Sequence, residues 1–211
     1  IEGRVGFRVL TDYPRRPHLE FYRRYPDPFY STTFELDATQ LRRRLNEEGR
    51  SVYAGFCWAF HRALQQVEAF RVRLAGEDVV LHDGLRLGLT VPAPGRTFSF
   101  MQLDWDEEPA RFFERAAVAT ALASSRVTLT GGDAPDFAYY TALPQLPFVG
   151  FTHARLPDPT AGQPTIAFGR FGERAGRLLV PVGIQVNHLY VDGGDLGDLY
   201  EAGQASFARA L

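Results

Sequence analysis

The run Gln185-Val186-Asn187-His188-Leu189-Tyr190-Val191-Asp192-Gly193 sets a histidine where an apolar segment ends, an aspartate four positions on, and a glycine beside that aspartate. Imidazole has an ordinary proton affinity close to neutral pH, so the chemistry on offer is proton transfer with a substrate. At a strand end such a ring can hold one nitrogen against the protein and aim the other outward. Taken alone, the histidine reads as a satisfied core residue; the motif around it is what points to a base.

Other reactive side chains offer less. Cys57 is the only cysteine, so no internal disulfide can form, which fits a reducing cytoplasm. It sits between Phe56 and Trp58 in an apolar helical pattern and reads as a buried structural thiol. All 23 basic residues are arginine, which removes lysine as a base or Schiff-base nucleophile. His18, His61, His82 and His153 are scattered, with no partner at ligand spacing, so no metal site is expected.

The elements that must position His188 begin with 178–184, apolar enough for a strand buried on both faces. Its continuation predicts a strand over 177–190, a turn at Asp192-Gly193, and a closing helix starting at Asp195 or Asp198. Upstream, the pattern predicts a short helix over 18–25, a strand over 30–36 and an arginine-rich helix over 38–48 capped by Asp37 or Thr39. In that helix Leu41 and Leu45 share the apolar side and Arg42-Arg43-Arg44 forms a solvated face. A central apolar helix follows over 51–67, then strands over 70–74, 79–82, 85–91 and 97–103. Glu107-Glu108-Pro109 opens a helix to about 125, and 128–135, with Gly131-Gly132, reads as a loop. Strands over 148–153 and 165–171 complete the pattern. The order mixes hairpins with helices and is not a regular βαβ alternation, so the expected class is α/β: a mixed sheet with packed helices in a two-layer sandwich.

The His188 run resembles the active-site segment of the chloramphenicol acetyltransferases, which reads Gln-Val-His-His-x-x-x-Asp-Gly. Tyr13-Pro14-Arg15-Arg16-Pro17-His18-Leu19 is similar to that family's Trp-x-Arg-Lys-x-His-Phe start. Phe34-Glu35-Leu36-Asp37-Ala38-Thr39, Val52-Tyr53-Ala54-Gly55-Phe56, Phe70-Arg71-Val72-Arg73, Thr97-Phe98-Ser99 and Pro147-Phe148-Val149-Gly150-Phe151-Thr152 each match a family segment, in order. Dihydrolipoyl acyltransferase cores rank second. Nonribosomal condensation domains and plant-type acyltransferases share His-x-x-x-Asp-Gly but are about twice this size.

The resemblance implies an acetyl-CoA-dependent O-acetyltransferase, a homotrimer with its sites between subunits, acting on a small-molecule hydroxyl acceptor. His188 would be the general base. Asp192 would pair with Arg15 in a buried ion pair that holds the turn. Tyr22, Phe29, Tyr30 and Phe98 would line the acceptor pocket; Tyr53, Ser99, Arg170 and Phe171 would face coenzyme A. The family's oxyanion serine falls at Gly150 and a supporting threonine at Ala167, so both hydroxyls are missing. Asn187 replaces the first histidine of the pair, and Asp195 another family histidine. Two alternatives stay open: an acyltransferase on a different acceptor, and a non-catalytic trimeric binding or scaffold homologue.

With 211 residues and 45% hydrophobic content, one domain with a sizeable core is expected. It would span 5–211, because Ile1-Glu2-Gly3-Arg4 spells a common protease-cleavage linker. A formal net charge of −2 and no basic run beyond Arg42-Arg43-Arg44 argue against nucleic acid as partner. No run approaches eighteen apolar residues and no signal peptide is visible, so neither a membrane nor secretion is expected.

Overall fold

A computed structural model describes residues 5–130, 134–155 and 157–209. Ile1-Glu2-Gly3-Arg4 and Gly131-Gly132 lie outside the described residues.

The chain forms β1 (Phe7–Val9), α1 (Arg16–Tyr22), β2 (Phe29–Asp37), α2 (Thr39–Glu47) and α3 (Val52–Gln66). Next come β3 (Val72–Ala75), β4 (Asp78–His82), β5 (Arg86–Ala93), β6 (Thr97–Leu103), α4 (Pro109–Ser124) and β7 (Phe137–Leu143). Last are β8 (Thr165–Gly169), β9 (Gly172–Arg174), β10 (Arg177–Asn187) and α5 (Gly193–Ala208). The main sheet runs β2-β10-β8-β7-β5-β6, with β9 also on β10; β1-β4-β3 form a smaller sheet. β7 pairs parallel with β5 and β8 and the other neighbours run antiparallel, so the sheet is mixed, as expected.

The eleven-residue β10 occupies an interior position between β2 and β8 and is buried from Val180 to Asn187. Alternation sends Val182, Ile184 and Val186 to one face and Gly183, Gln185 and Asn187 to the other. The apolar helix α3 packs on α5, and Phe56 and Phe60 of α3 meet Phe168 of β8 beneath them. Ser51 caps α3 by accepting from the Ala54 amide at 3.3 Å.

Irregular chain covers part of the opposite face. A strand over 148–153 does not form there. Phe148 and Phe151, three residues apart, both turn onto the sheet, where a Cβ added at Gly183 would meet them at 3.2 and 3.1 Å. A strand would send residues three apart to opposite faces, so packing of both rings on one face excludes it. His153 accordingly lies off any strand.

Other departures are local. A 3-10 turn over Glu68–Arg71 occupies the start of the strand expected at 70–74. β7, interior to the sheet, was not foreseen. β8 ends at Gly169, and an Ala175-Gly176 hairpin with φ of 51° and 73° returns the chain from β9 to β10. On α2, Leu41 and Leu45 are buried as expected, but Arg42 leans over the Phe171 ring at 5.6 Å, so its face is only partly solvated. No helix among the described residues is long and apolar enough to cross a membrane.

Candidate active site

β10 ends at Asn187, and the next residue is His188. Its amide donates to the Pro28 carbonyl at 2.9 Å, tying the turn to the chain entering β2. The ring stacks on Tyr22 at 4.0 Å between centroids and 11° between planes, and tilts against Tyr30 at 4.7 Å. Nδ1 is shut from solvent without a partner among the described residues. Among the described residues Nε2 has no hydrogen-bond partner and is not shut from solvent as Nδ1 is, so it is the nitrogen a reactant can approach.

The turn after His188 is fixed by a charged fork. Asp192 is the N-cap of α5: Oδ1 accepts from the Gly194 amide at 2.8 Å and the Asp195 amide at 3.3 Å. Asp195 answers by accepting the Asp192 amide at 2.8 Å, completing a capping box. Arg15 then reaches Asp192 at 3.1 Å and Asp195 at 2.5 Å with different guanidinium nitrogens. The expected Arg15–Asp192 pair therefore forms, but it is shared with Asp195 and is not buried: the side chains are 22%, 45% and 20% exposed for Arg15, Asp192 and Asp195. Helix capping explains this, because N-cap carboxylates lie at a helix end that opens to solvent. The helix also starts at Gly193, earlier than Asp195 or Asp198.

Electrostatics follow the geometry. Burial works to raise the Asp192 carboxyl, but hydrogen bonds from the Asp195 and Gly194 amides and the Arg15 charge together hold it below its ordinary value. Burial, with the Asp192 and Asp195 charges beside it, pushes the Tyr30 phenol up to about 12. That hydroxyl donates to the Val191 carbonyl at 3.2 Å. Burial holds His61 and His153 down to about 4, and His61 is fully engaged with Tyr140 and Leu85.

Arg15, Tyr22, Phe29, Tyr30, His188 and Asp192 thus converge. Phe29 opens β2 opposite Asn187, with the Arg155 guanidinium 4.0 Å above its ring and Asp27 paired to that arginine. Phe98 is not with them. It lies on β6 at the far edge of the sheet, five strand spacings or roughly 24 Å from β2, and is 48% exposed. Ser99 is buried, its hydroxyl donating to the Arg126 carbonyl at 2.6 Å and accepting the Thr128 amide at 2.9 Å. The Tyr53 hydroxyl donates to the Tyr140 carbonyl at 2.8 Å. Both hydroxyls are committed to the fold. Arg170 and Phe171 are exposed where the chain leaves β8.

Gly150 is exposed, and a Cβ there would meet nothing within 4 Å. Ala167 is buried in mid-sheet, in register with Gly183 on one side and Thr141 on the other. Thr141 was passed over in the sequence because β7 was. Its side chain shares the face of Ala167, half-buried, and its oxygen accepts from Thr90 at 2.8 Å. Gly183 precedes His188 by five residues, so this hydroxyl row lies roughly 16 Å along the strand from the His188 end. In the sequence Asp195 reads as a replaced histidine and a possible helix start, not as a partner of Arg15. Its Asp-x-x-Asp spacing from Asp192 was the available signal for a capping box.

Comparison with known proteins decides the family. A family model described as "Chloramphenicol acetyltransferase" matches residues 7–202. The chain belongs to the chloramphenicol acetyltransferase family. A chloramphenicol acetyltransferase of Streptomyces acrimycini is 31% identical over 189 residues, covering 87% of this chain and 86% of that protein. One of Bacillus pumilus is 27% identical, covering 93% and 88%. A solved chloramphenicol acetyltransferase structure superposes with a TM-score of 0.85 at 20% identity, covering 96% of this chain and all of that one. A Listeria monocytogenes structure described as a probable dihydrolipoamide acetyltransferase gives 0.65 at 15% identity, with 95% and 94% covered, and so shares the fold. The enzyme class is therefore a chloramphenicol acetyltransferase-like acyltransferase. Among the described residues no group of three or more His, Cys, Asp or Glu side chains could hold a metal.

Proposed function

We propose that this enzyme moves acetyl from acetyl-CoA to an acceptor hydroxyl, with His188 Nε2 as general base and chloramphenicol as the first acceptor to test. The observation that carries the reading is the His188 ring held against Tyr22 and Tyr30, with Nδ1 shut in and Nε2 the open nitrogen. Nε2 takes the hydroxyl proton as that oxygen attacks the thioester carbonyl. When the C–S bond breaks, the imidazolium returns the proton to the departing thiolate, so the base ends neutral. Arg15, Asp192 and Asp195 hold the turn and move no proton.

Thr141 is the hydroxyl best placed to meet the oxyanion in the absence of side-chain hydroxyls at Gly150 and Ala167. With the Thr90 proton turned to Thr141 at 2.8 Å, and not to the Tyr140 carbonyl at 3.5 Å, Thr141 can give its own proton to the oxyanion. Because Thr141 and Phe98 lie far from His188 within one chain, the complete site draws on two copies, which supports a homotrimer. Tyr22, Phe29 and Tyr30 then wall the acceptor beside the base, and Phe98 of a neighbouring copy closes it. Coenzyme A would approach along the side of Arg170 and Phe171, over the face that carries Ala167. The lone buried thiol at Cys57 supports a reducing compartment, the cytoplasm.

Gly150 and Ala167 favour one second reading, an acyl acceptor other than chloramphenicol, because both small side chains leave room where hydroxyls were expected. Release of free thiol from acetyl-CoA with and without chloramphenicol separates the two. Chloramphenicol-dependent release that falls about 10²- to 10⁴-fold in His188→Ala supports the base and the acceptor. Acetyl-CoA binding without turnover, in an otherwise folded protein, moves the reading to a different acceptor.

A further inference from the structure

The candidate base is flanked by two residues that reach the same loop. Asn187, 2% exposed, donates through Nδ2 to the Pro159 carbonyl at 2.8 Å and the Ala161 carbonyl at 2.9 Å. Its Oδ1 accepts the Leu189 amide at 2.9 Å, and its own carbonyl accepts the Tyr190 and Val191 amides at 3.1 Å each. The Tyr190 hydroxyl donates to the Thr160 carbonyl at 2.7 Å and accepts the Leu74 amide at 3.3 Å. Three successive carbonyls of one loop, at 159, 160 and 161, are therefore held by the residues on either side of His188.

The loop is shaped to present them. The Asp158 carboxylate accepts both the amide and the hydroxyl of Thr160 at 2.8 Å. Gly162 lets the chain pass against Tyr190 and Arg73, where an added Cβ would come within 2.8 and 2.6 Å of those side chains. Going back along the chain, Arg155 reaches the Phe29 ring, so this segment joins the base to the acceptor wall.

We infer that Asn187 is a positioning residue for the proposed acyl transfer: its amide locks the main chain at His188 to the 158–162 loop. This rests on His188 as the base. The choice of side chain is chemical. Donating to Pro159 and Ala161 while accepting from Leu189 requires two N–H groups and an oxygen on one short side chain, which asparagine has. A neutral imidazole has one N–H and one acceptor nitrogen, so it can make at most two of the three bonds. A carboxylate would set an oxygen against two carbonyl oxygens. An amide also carries no charge to gain or lose, so the lock holds while the proposed base takes up and returns a proton.

The test uses full-length Asn187→Ala, Asn187→Asp, Asn187→His and Tyr190→Phe, with thiol release from acetyl-CoA and the proton NMR shifts of the His188 ring. Wild-type ring protons should be displaced by the Tyr22 and Tyr30 ring currents. In Asn187→Ala and Asn187→Asp that displacement should shrink and kcat should fall about 10- to 100-fold, with acceptor KM changing about 3-fold or less. Asn187→His, which can make at most two of the three bonds, should recover only part of the loss, and Tyr190→Phe should move both readouts the same way by less. Tyr190→Phe removes only a hydroxyl, so it still decides the matter if Asn187→Ala does not fold. Unchanged ring shifts and kcat in the folded variants would overturn the proposal. The ring shifts need no acceptor, so an inert wild type with intact shifts would fault the proposed reaction and not the positioning.

Discussion

Two stretches along β10 carry the candidate chemistry, and they are built differently. At the C-terminal end, His188 is fixed by short-range bonds: its amide to Pro28, two aromatic rings, a capping box and an arginine fork. In mid-strand, opposite Gly183, the row Thr141–Ala167–Gly183 has one hydroxyl and two of the smallest side chains, partly covered by irregular chain. The first region orients a reactive group and tolerates little change. The second is lined by small side chains that let Phe148 and Phe151 close down onto the sheet. The histidine end is built from polar and aromatic contacts, whereas small residues in mid-strand allow the covering chain to approach the sheet closely.

The sharpest way to break this contrast is to divide it between chains. His188→Ala and Thr141→Val should each be nearly inactive, the second falling about 10²- to 10³-fold as expected for one oxyanion donor. If the two regions meet only across copies, co-refolding equal amounts should regain activity at about one site in four, since a symmetric ring reuses one heterologous contact. No recovery, or a monomeric mass by light scattering, would put both groups in one chain's site and end the contrast.

The fork offers a smaller effect. Arg15→Ala should cost about 1–2 kcal/mol in urea unfolding, because the fork is partly exposed and screened, and kcat should fall about tenfold or more through misplacement of His188. A buried pair would cost about 3–5 kcal/mol, so the size of the loss itself measures how open this helix end is. Asp195→Asn should lower stability comparably, whereas the removal of a hydroxyl in Thr141→Val should leave stability nearly unchanged.

The smallest expected effect is in acid. Asp192 titrates below the ordinary carboxylate value of 3.8, so its contribution is complete above that value and is lost as pH falls through the lowered one. Asp192→Asn should flatten that part of the acid-unfolding curve. High salt should shrink the difference between variant and wild type, because Asp192 is well exposed.

Much of this was legible from residues alone because the signals are local. Apolar alternation and turn residues mark β2, β5, β6 and β10, and Ser51 and Pro109 announce α3 and α4. His188, Asp192 and Arg15 were readable as members of motifs that resemble the family's, and Tyr22 and Tyr30 as acceptor-pocket positions; their contact with the His188 ring was not. Less legible was anything depending on which segments become neighbours. The stretch 148–153 has the composition of a strand, yet both of its phenylalanines face one sheet surface. Ser99 and Tyr53 looked like ligand-facing hydroxyls until Arg126, Thr128 and Tyr140 were beside them.

By itself the sequence determined the class of fold and the strand that ends in a histidine, since periodicity and turn signals act within a few residues; the pairing of Arg15 with Asp192 was implied only by the family resemblance. Only the tertiary structure decided that Asp195 shares Arg15 with Asp192, that Asn187 and Tyr190 grip one loop, and that Thr141 stands beside Ala167. Those contacts join segments distant in the chain. The physical reason is that a hydrogen bond depends on where both partners lie in space, and residue order constrains only the near ones.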